Sequence, residues 1–201
     1  MSPITHFLTG WVVANSAQLN RRDRILVTLA GIVPDLDGLG IVAEIATENT
    51  SNFLPWWSKY HHVLCHNLGF GLLITAAVFL ASVRRWTSAL LALLVFHLHL
   101  VGDLVGAKGP DGYQWPISYL LPFSNRWQWV WDGQWTLNAW PNITSTALLL
   151  ALTFYLAWKR GYSPLEMISK KADTAFVDTL RRKFGTPQTS NARIEPRPVE
   201  N

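Results

Sequence analysis

The chain has 201 residues, of which 49% are hydrophobic, only 15% are charged, and eleven are tryptophan. A soluble domain carries more charge than this, so the composition points to a membrane protein with a single core and a tail. The formal net charge of +4 does not mark a nucleic-acid partner, because the basic residues cluster at segment ends instead of lining a surface.

The first residues, MSPITHFLTG, lack a basic stretch and a long apolar run, which predicts no cleavable signal peptide. An apolar helix is expected over 6–19 and a second over 25–34. Pro34 is expected to end the second, since proline removes an amide donor and disfavours helix just before it. The stronger apolar stretches are 68–83 (LGFGLLITAAVFLASV), 86–105 and 143–158 (ITSTALLLALTFYLAW). The first and last fall short of the ~20 residues that a span needs, so tilt or local thinning is required if they cross. Next, 165–184 turns amphipathic, with Leu165, Ile168, Ala172, Phe176, Leu180 and Phe184 at helical spacing. A basic helix lying on the inner leaflet has this pattern. After Gly185 the composition predicts disorder. The expected fold is therefore an all-α, polytopic membrane bundle of about five helices over 1–160, a cytoplasmic amphipathic helix over 161–184 and a disordered tail over 185–201.

Of the 17 Lys and Arg, nine lie from Lys159 onward and five in RRDR (21–24) and RR (84–85); the rest are Lys59, Lys108 and Arg126. The positive-inside rule puts the tail and both clusters on the cytoplasmic side, and the helices then alternate without conflict. The outer side carries 47–60 and the loop 106–142, which holds Trp115, Trp127, Trp129, Trp131, Trp135 and Trp140. Those indoles fit an interfacial belt, or a lid and acyl-chain contact surface over a site.

The segment HLHLVGD (97–103) places His97, His99 and Asp103 inside an apolar run, where ionisable groups are costly and mark function. The other histidines are His6 and the trio His61, His62 and His66 in HHVLCH, while Asp35 and Asp37 lie in GIVPDLDG. On the topology above, all of these except His97 sit near the outer helix ends. His99 and Asp103 are i, i+4 and share a helix face, so they can share a metal; His97 points nearly the other way. Mixed imidazole and carboxylate ligation suits zinc, or manganese and iron less specifically. Cys65 is the lone cysteine, so an internal disulfide is excluded and the CxxC zinc motifs are absent.

In their order and spacing, these motifs resemble the YdjM-type inner-membrane metal-dependent hydrolases, a family distantly similar to zinc-dependent phospholipase C and P1 nuclease. The resemblance covers roughly residues 1–130 and rests on THFLTG, AGIVPDLD, HLVGD and LLPFSNRW (120–127). The central element departs: HHVLCHN puts His62 where the family carries an arginine, so His62 or Arg126 is left to bind an anion. The resemblance implies His6, Asp35, Asp37, His61, His66, His99 and Asp103 as metal ligands and two or three zinc ions. Asp35 and Asp37 are each either ligand or general base. His62, His97 and Arg126 are left as supporting or substrate-binding groups.

The expected protein is thus a multi-pass hydrolase of the inner membrane with its site on the extracytoplasmic side. It acts through metal-activated water on a phosphoester, either a small molecule or a lipid, with membrane lipids as surroundings. A rival reading is a metal-binding or metal-transport membrane protein without catalysis, but the polar groups gather at one end instead of crossing the bilayer. A membrane di-iron oxidoreductase would need more histidines than the six present. HExxH, GxSxG and P-loop patterns are absent.

Overall fold

A computed structural model describes residues 1–109 and 112–187. They fall into two compact units, Met1–Phe154 and a part beginning at Tyr155. The helices are α1 (Pro3–Ala14), α2 (Arg21–Leu29), α3 (Gly40–Thr47), α4 (Trp56–Tyr60), α5 (Leu68–Ala81), α6 (Arg85–Gly106), α7 (Trp140–Arg160) and α8 (Lys170–Phe184). Tighter 3₁₀ turns occupy Val33–Leu39 and Pro164–Met167. Among the described residues the β pairing is limited to isolated bridges, Lys108 with Thr136 and Ile117 with Trp129. The chain is all-helical, as expected; the part of the expected tail from 188 onward lies outside the described residues.

Local sequence explains the helix starts. Ser2, Asn20 and Asn67 cap α1, α2 and α5, each side chain accepting a backbone N–H of the first turn. Pro34 does not end a helix that runs to it. Instead α2 stops at Leu29 and Pro34 opens the following 3₁₀ turn, where its missing N–H costs nothing. That turn presents Asp35 and Asp37. The short helix α4 falls within 47–60, a stretch expected on the outer side, and α3 lies just before it.

Helix α6 is the centre of the first unit and packs against α1, α2 and α5. Its inward side chains Ala89, Ala92, Phe96, His99 and Asp103 are buried, while Leu90, Leu94, Leu98 and Val101 are exposed. Both sets follow helical spacing, so one face carries the core and the site while the other presents bare aliphatics. Helix α6 is the one described helix long and apolar enough to cross a membrane; α2 with Val33–Thr47, bent by 47°, adds a second if the pair is one broken span. With 22 residues α6 extends about 33 Å, and α5 with 14 about 21 Å, against a hydrocarbon core of ~30 Å. By length and composition these are fewer spans than the five expected.

The two ends of α6 are fastened differently. At its start, the fully buried Asp23 accepts the backbone N–H groups of Val83 and Arg84 at 2.9 and 2.8 Å. Arg24, also buried, donates to the Leu19 carbonyl at 2.6 Å. Half of the RRDR cluster is therefore packed, and it lies against the second arginine pair. At the far end, the last turn of α6 would leave carbonyls unpaired. The tryptophan-rich loop supplies the donors: Gln134 to the Asp103 carbonyl at 2.8 Å, the Trp135 N–H to Val105 at 3.0 Å, and Asn142 to Gly106 at 2.8 Å. In the second unit, α8 turns Val177 and Leu180 inward, while Ile168 and Phe184 are exposed.

Removing the Asp23 carboxylate orphans two buried amides, at about 1–3 kcal/mol. In detergent micelles, Asp23→Ala should lower the unfolding midpoint by a corresponding amount, whereas Arg22→Ala, at an exposed neighbour, should leave it within error of wild type. Equal midpoints for both variants would show that the carboxylate does not fasten the corner.

Candidate metal centre

Four separate parts of the chain deliver donors to one point. Helix α1 brings His6, the 3₁₀ turn brings Asp35, the segment after α4 brings His62 and His66, and α6 brings His99 and Asp103. Two groups of potential ligand atoms result: His6, Asp35, His99 and Asp103; and His62, His66 and Asp103. Asp103 belongs to both. One of its oxygens, Oδ1, lies 3.0 Å from His6 Nε2 and also meets the Met1 amino group. The other, Oδ2, lies 3.0 Å from His99 Nε2, 3.4 Å from His66 Nε2 and 3.8 Å from His62 Nε2.

The imidazoles are held from behind. His99 Nδ1 is 2.9 Å from the Gly31 carbonyl, which can only accept, so this nitrogen carries the proton and Nε2 faces the site. His66 Nδ1 is 3.0 Å from Asp37 Oδ2, and His61 Nδ1 is 2.9 Å from Asp37 Oδ1. The Cys65 N–H also donates to Asp37, at 3.1 Å. A carboxylate or carbonyl behind a histidine fixes its tautomer and raises its basicity towards a metal. Close packing allows the arrangement: His6 stacks on His99 with centroids 3.7 Å apart, and a Cβ on Gly102 would lie 3.0 Å from His6 Cε1.

The residues fit a cation. His66 Nε2 and His99 Nε2 face each other at 3.0 Å, a spacing two bare lone pairs do not tolerate without a positive charge to share. A single proton would satisfy that pair alone, yet Asp103 Oδ2, Asp35 Oδ2 and His62 Nδ1 are buried with no hydrogen-bond partner. Buried polar atoms are paired as a rule, and orphans gathered around histidine nitrogens mark a place for a metal ion. The local field agrees. Burial opposes protonation of His66, but the neighbouring Asp103 and Asp37 outweigh it and raise its pKa to about 9. At His62, by contrast, burial prevails and pushes the pKa down, which keeps the imidazole a neutral donor. Cys65 is pushed up to about 11 by burial and by Asp37, so its thiol is no ready nucleophile.

The positions expected to act together are mostly brought together, with the histidine pair reordered. His62, expected as a supporting group, stands among the donors, whereas His61 leans on Asp37 and lines a cavity. The backbone decides this: His62 has φ +62°, an uncommon left-handed conformation for a side-chain-bearing residue. Asp37 stands behind His61 and His66 with both oxygens engaged and belongs to neither donor group. His97 is elsewhere, its Nε2 paired with the Tyr119 hydroxyl at 2.9 Å and its Nδ1 with the Leu93 carbonyl at 2.8 Å. Arg126 is exposed and does not line the cavity.

That cavity, of about 790 Å³, opens over Asp35, His61 and His62 and is walled by Trp57, Trp115, Tyr113, Leu39, Leu137 and Lys108 among others. Trp57 stacks on His61 at 3.8 Å, and Trp115 meets the His61 and His62 rings edge-on. Trp115 thus covers the site, while Trp127 and Trp140 are exposed. Trp57, Lys108 and the Gly31 carbonyl had no motif to announce them; the nearest signal was the placement of Lys108 one turn beyond HLVGD.

A family model described as YdjM inner membrane protein matches residues 1–169. The chain belongs to the YdjM inner membrane protein family. The family is one of inner membrane proteins, in keeping with the bare aliphatic face of α6. No curated protein and no solved structure matches this YdjM-family chain.

Elemental analysis of the purified protein tests the centre. Asp103→Ala, which removes the shared carboxylate, and His99→Ala should each lose at least one equivalent of bound metal. His97→Ala should keep the wild-type content. Unchanged metal in Asp103→Ala and His99→Ala would refute the centre.

Proposed function

We propose that this YdjM-family protein is an integral-membrane, metal-dependent hydrolase that cleaves a phosphoester of a lipid or envelope molecule. The observation that carries the reading is Asp103, which belongs to both converging groups of donors. His6, Asp35, His99 and Asp103 would hold one zinc ion, and His62, His66 and Asp103 a second. Bound zinc supplies Lewis acidity, lowering the pKa of water and stabilising charge on phosphoryl oxygens.

The protein's own groups divide the remaining work. Asp37 orients His61 and His66 through their Nδ1 atoms and has no oxygen left over for proton transfer. Of the two turn carboxylates, Asp35 keeps a buried, unpartnered Oδ2 and lines the cavity, which suits it to ligation and to accepting a proton from water. His61 also lines the cavity, with Nδ1 committed to Asp37 and Nε2 available to give a proton to the leaving oxygen. Trp57 and Trp115 shield these groups from water, which strengthens every charge interaction inside.

Placement in the membrane follows from charge. Asp23 ties RRDR to the RR pair at the start of α6, and Asp103 lies about 27 Å farther along the same helix. Basic residues favour the cytoplasmic side, so the reading puts the metal centre on the extracytoplasmic side. The polytopic bundle is completed by α1, the bent α2 pair, α5 and α7, with short members accommodated by local thinning.

Zinc-loaded protein in micelles should release phosphate or an alcohol from lipid phosphoesters, lose this activity to a chelator and regain it with added zinc. His61→Gln should keep its metal while kcat falls about 10²–10⁴-fold, the range of general acid–base catalysis. Fully loaded wild-type protein that cleaves no phosphoester, lipid or soluble, would overturn the reading.

A further inference from the structure

The cavity above the donors has an uneven lining. Its walls are aromatic and aliphatic, and its floor holds Asp35, His61 and His62. Into this mouth the chain places one permanently cationic side chain, Lys108. The position is fixed: the Lys108 N–H donates to the Trp135 carbonyl at 3.1 Å, and the residue bridges to Thr136. It also follows α6 directly, so it is tied to the helix that carries His99 and Asp103. Lys108 is half-buried, and no carboxylate among the described residues forms an ion pair with its ammonium.

On the cavity floor, His62 is turned into the donor set and carries no obligatory charge. Arg126, the other cation the sequence offered, is exposed and outside the cavity wall. An anionic substrate entering over the histidines therefore meets a single fixed positive side chain on the described wall, and a lysine ammonium binds phosphate as a compact point charge.

We propose that Lys108 is the residue that holds the substrate's phosphoryl group over the metal donors. This inference rests on the phosphoester reading above. The apolar wall formed by Leu39, Leu137, Trp57 and Trp115 takes the group esterified to that phosphate, so a lipid phosphate binds with both parts and inorganic phosphate with one.

Binding and turnover are measured on the full chain, zinc-loaded in micelles, for wild type, Lys108→Ala, Lys108→Met and Lys108→Arg with metal content checked in each. The probes are inorganic phosphate and dihexanoyl phosphatidate by titration calorimetry, and p-nitrophenyl phosphate for kinetics. Lys108→Ala and Lys108→Met should weaken phosphate binding and raise KM about ten- to a hundred-fold, the scale of a charged hydrogen bond, with kcat changed far less. Lys108→Arg should restore binding to within about threefold, a rescue that a merely structural position would not show. Dihexanoyl phosphatidate should bind wild type more tightly than phosphate does and keep part of that advantage in Lys108→Met. If wild type binds phosphate but turns nothing over, hydrolysis fails while the lysine assignment stands. Phosphate affinity equal in wild type and Lys108→Met, or no phosphate binding by wild type, overturns the assignment.

Discussion

A carboxylate with 2% exposure sits near the C-terminal end of the one described helix long and apolar enough to cross a membrane, and the first unit is arranged to make that tolerable. Burying an ionised carboxylate costs several kcal/mol unless positive charge and hydrogen bonds compensate. Asp103 has histidines on both oxygens and the Met1 amino group on Oδ1. Imidazoles are neutral donors as easily as cations, so Oδ2, with histidines alone around it, depends on positive charge that enters between them. The glycines at 31 and 102, the stacked His6 and His99 rings and the capped end of α6 all keep that space small and its donors aimed.

The same constraint separates the roles of the carboxylates. Asp37 is engaged by His61, His66 and the Cys65 amide, so its charge is spent on positioning. Asp23 has a similar fate at the other end of α6, where it holds two backbone amides. Among the described carboxylates, Asp35 and Asp103 combine proximity to the histidines with a buried oxygen that no hydrogen bond satisfies. A cation-binding centre needs both kinds: oxygens left open for the ion, and oxygens closed upon the residues that hold its ligands.

Much of this was legible before any coordinates. Helical spacing put His99 and Asp103 on one face, and the alternation of arginine clusters placed His6, His61, His62, His66, Asp35 and Asp37 at the same helix ends, with His97 left out. The choice between His61 and His62 was not legible, because it turns on one left-handed backbone angle that no periodicity encodes. Nor was the commitment of Asp37, which depends on residues more than twenty positions away coming back to it. Helices α3 and α4 escaped because they are short, half-exposed and lack an apolar face of ordinary length. Residues 21–24 read as a set of loop charges, whereas Asp23 and Arg24 are packed. Charge counting sees residue types but not burial.

Helix α6 links the chemistry to the membrane through its own direction. Its C-terminal end carries the negative pole of the peptide dipoles, and the carbonyls there are capped by Gln134, Trp135 and Asn142 from the tryptophan-rich loop. Those neutral caps satisfy the hydrogen bonds without cancelling the field as a lysine or arginine cap would. The end of α6 that carries His99 and Asp103 is therefore the end that favours cations, and the loop that closes it also delivers Trp115 to the cavity and fixes the backbone of Lys108. The polar segment inside an apolar helix is thus not a defect in a membrane span. It is the place where helix direction, buried carboxylate and tryptophan-rich loop reinforce one another, and moving HLHLVGD a turn or two towards the arginine-bearing end would lose all three at once.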